Sequence, residues 1–246
     1  MTMTAKLLPA LAASLMFTAT PAMADAISLG SGDIGKSFTF NFNGFADSME
    51  IANLTSTATF TLTGATSTSY TFNYSLSNTT SSPLTSRVSS FGFNTDPNIS
   101  SASSTGAFSY TTLNSTYPNG IGAIDVCFKD AKTGSCAGGG SGGLLTGATG
   151  TGSLTLNFSQ PLTSLTLSDF FVRYQSITGA GNVTSASGAG TLTSTGGSTS
   201  GGSTSGGSTS SGGTSVPEPG MVGLMGGALL LLAMRSRRRR AVFAAA

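Results

Sequence analysis

The chain contains no histidine and no tryptophan, and only 8% of its 246 residues are charged. Without histidine it lacks both the side chain that titrates near neutral pH unperturbed and the commonest metal ligand. Its many Ser and Thr hydroxyls are weak nucleophiles unless a neighbouring base activates them. No recognisable hydrolase motif is present. A glycosidase working through two carboxylates would have to draw on nine: Asp25, Asp33, Asp47, Glu50, Asp96, Asp125, Asp130, Asp169 and Glu218. These absences lead us to expect a protein that is not an enzyme and that needs no cofactor.

The scarce charges are also segregated. Lys6, Arg235, Arg237, Arg238, Arg239 and Arg240 lie near the ends of the chain. Between Asp25 and Ser215 there are five cations (Lys36, Arg87, Lys129, Lys132, Arg173) against eight carboxylates, a net charge of 5 − 8 = −3. A basic footprint for nucleic acid is therefore not expected on the body. Average soluble domains carry roughly 25% charged residues. Here Ser, Thr, Gly and Asn supply the polarity instead, which suits an extracellular sheet protein.

Cysteine is limited to Cys127 and Cys136, which bound a stretch of ten residues. A close pair of this kind in an exported chain reads as a disulfide. Zinc would need further ligands nearby, and none are there.

Four segments differ in composition. Residues 1–24 read as a secretory signal: Lys6 is the positive end, Leu7 to Thr18 the apolar stretch, and Ala22-Met23-Ala24 a small-x-small cleavage site, with Ala22 and Ala24 as its small residues. Export through the Sec translocon follows from that reading. Residues 25–195 read as β. Phe38, Phe40 and Phe42 alternate with Thr39 and Asn41; Phe60 and Leu62 alternate with Thr59, Thr61 and Thr63; Tyr70, Phe72, Tyr74 and Leu76 alternate with Thr71, Asn73 and Ser75. Period two with Thr outward marks a half-buried antiparallel strand.

Similar runs follow at 88–93, 107–113, 124–128, 154–158 and 165–177, separated by turn residues such as Gly64-Ala65-Thr66-Ser67 and Asp96-Pro97-Asn98. About eight strands with short gaps predict an antiparallel β-sandwich, jelly-roll-like. In the last run the apolar set changes face between Leu167 and Phe170, which predicts a β-bulge near Asp169.

Residues 196–215 are a Gly/Ser/Thr linker, a flexible tether with a reach of about 25 Å for twenty residues. Residues 216–241 carry the most specific signal. Val216-Pro217-Glu218-Pro219 precedes an apolar run over 220–234, and a basic tail over 235–240 follows, ahead of a short tail over 242–246. The prolines keep the Glu218 segment extended. The apolar run predicts one short membrane helix, near the lower limit for a full span. Arg235, Arg237, Arg238, Arg239 and Arg240 would hold its far end on the cytoplasmic side of the inner membrane.

That order of Pro-Glu-Pro, membrane segment and arginine cluster resembles the PEP-CTERM sorting domain of Gram-negative bacteria. The resemblance implies that an exosortase recognises and removes the tail. It also implies a secreted, Ser/Thr-rich protein of the cell surface or matrix, associated with exopolysaccharide and biofilm. It covers about 25 residues and identifies a route, not an activity. In the body, Phe91-Gly92-Phe93-Asn94-Thr95-Asp96-Pro97, Asp125-Val126-Cys127-Phe128 and Asp169-Phe170-Phe171-Val172-Arg173-Tyr174-Gln175-Ser176 look like the cistern family of PEP-CTERM proteins. That resemblance implies no enzymatic activity and transfers no site residues.

The expected function is therefore that of an exported structural or adhesive component, membrane-anchored before sorting and at the surface or outside the cell after it. The alternative is a carbohydrate- or calcium-binding module, with a hydrolase further behind. For calcium, Asp125, Asp130 and Asp169, or Asp96 with Asn94 and Asn98, offer oxygen ligands, although a turn in which Asp caps its own backbone accounts better for Asp96-Pro97-Asn98. For sugar stacking, Tyr70, Tyr74, Tyr110, Tyr117 and Tyr174 are the tyrosines, and alternation assigns Tyr70 and Tyr74 to the core instead. Asn53, Asn78, Asn98, Asn114 and Asn182 each begin an Asn-x-Ser/Thr triplet, a pattern that arises readily by chance in such a composition.

Overall fold

The structure, a computed structural model, describes residues 25–132, 136 and 142–197. The signal segment with Ala22 and Ala24, the sorting motif Val216–Pro219, the apolar run and the arginine cluster lie outside the described residues. Among the described residues no helix is long and apolar enough to cross a membrane.

Twelve strands form the body: β1 (Ile27–Leu29), β2 (Lys36–Ala46), β3 (Met49–Ala65), β4 (Ser69–Asn78), β5 (Thr85–Asp96), β6 (Ser101–Ser104), β7 (Tyr110–Tyr117), β8 (Gly122–Lys129), β9 (Leu144–Leu145), β10 (Thr149–Asn157), β11 (Leu165–Thr178) and β12 (Ser185–Gly197). All ladders are antiparallel. They run in the order β6-β10-β4-β3-β2-β12-β11-β5-β8-β7, with β1 beside β11 and β9 beside β5. The expected all-β antiparallel class holds. The strands make one continuous sheet, which curls until its two end strands approach. There the Thr111 hydroxyl of β7 donates to the Ala102 carbonyl of β6 at 3.2 Å. The result is nearly a barrel.

The alternation read from the sequence becomes burial. Phe40, Phe42, Leu62, Tyr70, Phe72 and Leu76 are all buried, while the Thr, Ser and Asn between them face outward. The core lies between two facing stretches of the sheet. Phe40 of β2 stacks on Phe170 of β11, ring centroids 4.1 Å apart. Phe60 of β3 meets Phe91 and Phe93 of β5 at 5.6 and 6.3 Å, and Phe91 stacks on Phe128 of β8 at 5.0 Å. Such aromatic pairs contribute about 0.5–1.5 kcal/mol each beyond the area they bury.

Local chemistry explains the turns. Asp47 and Ser48 join β2 to β3 with both residues at positive φ (49° and 63°), the geometry whose twist suits a two-residue hairpin. The bulge expected near Asp169 is present. The β11–β5 register shifts between Ser168 and Phe171, and Asp169 sits at φ 53°. Two further shifts follow, at Arg173/Tyr174 and Gln175/Thr178. The expected run at 107–113 is displaced, because Gly106–Phe108 is a 3-10 turn and β7 begins only at Tyr110.

β12 is a central strand that no apolar alternation announces. It runs to Gly197, past the expected end of the body at 195. It holds Gly188 and Gly190 where large side chains reach across from its neighbours. A Cβ at Gly188 would come within 2.8 Å of Tyr174 and Val172, and one at Gly190 within 2.8 Å of the Phe42 ring. The aromatic bulk of β2 and β11 thus requires a strand with almost no side chains between them.

Candidate functional site

Beyond Phe45 and Glu50, which pair at the hairpin end of β2 and β3, the outward side of β12, β2, β3, β4 and β10 is an uncharged array of hydroxyls and amides. The registers align it in rows. Ser37, Thr61, Asn73 and Ser153 form one row, Thr39, Thr59, Ser75 and Thr151 the next, and Asn41, Thr57, Ser77 and Thr149 a third. Neighbouring strands lie about 4.8 Å apart, and successive outward residues along a strand about 6.7 Å.

Cross-strand hydrogen bonds stitch the array. Ser37 and Thr61 hydroxyls lie 2.8 Å apart, Thr39 and Thr59 2.9 Å, Ser77 and Thr149 2.7 Å, and Thr71 and Thr155 3.2 Å. Thr57 donates to Asn41 Oδ1 at 3.0 Å, which leaves the Asn41 amide N–H groups facing outward. At the end of the array a shallow depression of about 200 Å³ is lined by Asn41, Phe42, Asn43, Thr55, Ser56, Thr57 and Thr79. The Thr55 and Thr79 hydroxyls meet at 2.9 Å on its rim. A second depression, about 230 Å³, lies at the strand ends near Lys36, Phe38 and Thr195.

The outward side of β5, β8 and β11 is built differently. It carries a second, smaller apolar cluster of Tyr117, Ile124, Cys127 and Cys136, with Ile121 and Phe171 against it. Cys127 and Cys136 lie at disulfide distance, Cα atoms 5.9 Å apart, as the spacing implied. On these same strands three cations are buried: Arg87 of β5, Lys129 of β8 and Arg173 of β11. Arg87 donates to Gln175 Oε1 at 2.6 Å, to the Gly142 carbonyl and to Asp130 Oδ2 at 3.5 Å. Arg173 donates to the Ser185 hydroxyl at 2.8 Å. With its amide oxygen turned inward, Asn119 accepts from the Ser187 N–H at 2.9 Å and from Arg173 Nη1 at 3.2 Å.

Burial raises the Asp130 carboxyl above its ordinary range, against the pull of the Arg87 guanidinium, and Asp130 Oδ1 is buried without a hydrogen-bond partner. Burial likewise lowers the Arg173 guanidinium.

The residues considered for calcium separate into distinct places. Asn94 links two of them, its Nδ2 donating to Asp169 Oδ2 at 3.0 Å and its Oδ1 accepting from the Asp125 N–H at 3.1 Å. Asp125 Oδ2 in turn accepts from the Thr95 N–H at 2.8 Å. Asp130 belongs with Arg87 instead, and Asp96, at the end of β5, and Asn98, after it, are both exposed. Among the described residues no three carboxylate, cysteine or histidine side chains gather.

Of the five tyrosines, Tyr70, Tyr74, Tyr117 and Tyr174 are buried, and only Tyr110 is exposed, at 41%. The Tyr174 hydroxyl lies 2.8 Å from the Ser56 hydroxyl and donates to the Phe42 carbonyl at 3.3 Å, and Tyr74 donates to the Thr105 carbonyl at 2.8 Å. Asn78 is fully buried and joins β4 to β5 and β9 through Ser86 and the Leu144 carbonyl, so a glycan has no access to it. Asn53, Asn98, Asn114 and Asn182 are exposed.

Sequence reasoning placed Thr outward but did not single out the aligned rows, nor the three buried cations. The signal for the first was available, since the alternating runs over 38–42, 59–63 and 70–76 contain no charged residue. Compared with models of protein families, with curated proteins and with solved structures, the chain has no match.

Proposed function

We propose that the protein is an exported, non-catalytic structural or adhesive component of the cell surface or extracellular matrix, sorted by an exosortase and held at the inner membrane until then. The observation that carries this reading is the order of the tail: Val216-Pro217-Glu218-Pro219, the apolar run over 220–234, then Arg235, Arg237, Arg238, Arg239 and Arg240. Each part has a physical job, respectively an extended recognition segment, a bilayer-partitioning segment and a cytoplasmic anchor.

The body supports the reading in three ways. Its two halves face each other across one core, as in a sandwich, and its cysteines lie at disulfide distance, a bond that persists in oxidising compartments. Its outward rows on β2, β3, β4 and β10 are uncharged hydroxyl and amide, which suits contact with hydrated exopolysaccharide in a biofilm. The Gly/Ser/Thr segment over 198–215 would let this body stand clear of the membrane before sorting.

Cell fractionation tests the route. The intact chain is expected at the surface or in the medium with its tail removed, and a chain lacking residues 216–246 is expected to lose its membrane-associated precursor. An unchanged distribution after that deletion would refute the sorting role.

A further inference from the structure

We infer that the outward face of β2, β3, β4 and β10, centred on the depression beside Asn41 and Asn43, binds a neutral, hydroxyl-rich polysaccharide chain. The inference rests on the proposed surface location only for access to such a polymer.

Four observations lead to it. Among the outward residues of the three rows there is no charge, so neither a polyanion nor a cation has an electrostatic partner there. The groups present, hydroxyls and amides, donate and accept alike, which is the requirement for pairing with sugar hydroxyls. Asn41 has its amide N–H groups turned outward because Thr57 already serves its oxygen, and Asn43 beside it is exposed. The depression of about 200 Å³ gives a chain a place to seat one sugar unit against these groups.

The shape of the sheet selects the kind of partner further. Adjacent strands rotate by about 20–25°, so the rows turn by about 60–75° over the four strands from β2 to β10. A flat crystalline face would touch only a small part of such a surface, whereas a flexible soluble chain can follow it. No aromatic ring lies in the rows, so recognition depends on many weak hydrogen bonds. Affinity per segment is then low, and a long polymer gains through repeated contact with several displayed copies.

The test is native affinity electrophoresis of the purified full chain in detergent, in gels cast with dextran, mannan or galactan as neutral polymers and alginate as the acidic one. Retardation is expected in at least one neutral gel and not in alginate. It should be equal at 0.1 M and 1 M salt, because screening acts on charges. Asn41→Ala and Asn43→Ala are each expected to weaken the retardation about three- to tenfold, and Thr57→Lys to abolish it. Tyr110→Ala, on the exposed ring of β7, is expected to leave it unchanged.

Circular dichroism of each variant separates lost binding from lost fold, and should the Lys variant not fold, the two Ala variants decide. Mobility unchanged in all three neutral gels, retardation only in alginate, or loss on Tyr110→Ala instead of Asn41→Ala would each overturn the inference. Fractionation of cells reports on the route independently, so failure of one reading is distinguishable from failure of the other.

Discussion

Asn78 shows how a single polar side chain earns a buried position. It is completely enclosed, yet its Nδ2 donates to the Leu144 carbonyl at 2.9 Å and to the Ser86 carbonyl at 3.2 Å, and its Oδ1 accepts from the Thr80 N–H at 3.2 Å. It therefore ties the end of β4 to β5 and to the short β9. Asn78→Ala removes these bonds and strands their backbone partners out of water. We expect a loss of about 2–4 kcal/mol, read as a lower urea midpoint with an unchanged slope. By contrast Asn53, which begins the same kind of triplet, is exposed at φ 68°. The triplet pattern alone does not separate the two; burial does.

At the scale of the element, β12 carries the sharpest prediction. Gly190→Val places a branched side chain against the Phe42 ring and Phe170 in an already filled core. Overpacking of this kind costs about 1–3 kcal/mol. Gly196→Val, in the same strand but with nothing within 4 Å of its Cβ, is expected to change stability by less than about 0.5 kcal/mol. Thermal unfolding of the two variants side by side makes the comparison.

The cysteine pair belongs to this scale too, since it ties β8 to Cys136 within the second apolar cluster. Cys127→Ser with Cys136→Ser is expected to destabilise the body by about 2.7 kcal/mol on the loop-entropy estimate for ten residues. A denaturant midpoint that does not move would contradict that value.

For the whole molecule, the chemistry missing from the sequence shapes the response to pH. There is no histidine to titrate near neutrality. Instead burial pushes the hydroxyls of Tyr117 and Tyr174 well above the ordinary tyrosine range and raises that of Tyr74. A group whose folded pKa is raised contributes stability that is complete below its unfolded pKa and lost above it. For tyrosine the unfolded value is about 10. Stability is therefore expected to fall progressively as pH rises above about 10, as unfolded chains release phenolic protons that the folded body retains.

Burial also raises the Asp130 carboxyl, so by the same rule its contribution is present below about pH 4 and lost as pH rises through its folded value. Unfolding by urea at a series of pH values, ending in the alkaline range, would show the alkaline loss, and a flat profile between pH 9 and 12 would contradict it.

What the sequence by itself determined is the all-β class, the strands built on alternating Phe, Tyr and Leu, the change of face at Asp169 and the closeness of the two cysteines. These are legible because side-chain period and short-range spacing are local properties of the chain. The sequence also carries the order of the tail from Val216 to Arg240, on which the proposed route rests. Only the tertiary structure decided that the strands join in one sheet curled nearly into a barrel, because strand order depends on pairings between distant segments. It also decided that glycine-rich β12 lies at the centre of that sheet. A strand of Gly, Ala and Ser has no apolar period of its own, and its place follows from the bulk of Phe42, Phe170 and Tyr174 beside it. The aligned rows of Ser, Thr and Asn follow the same logic: each residue faces outward by local alternation, but only register brings them side by side.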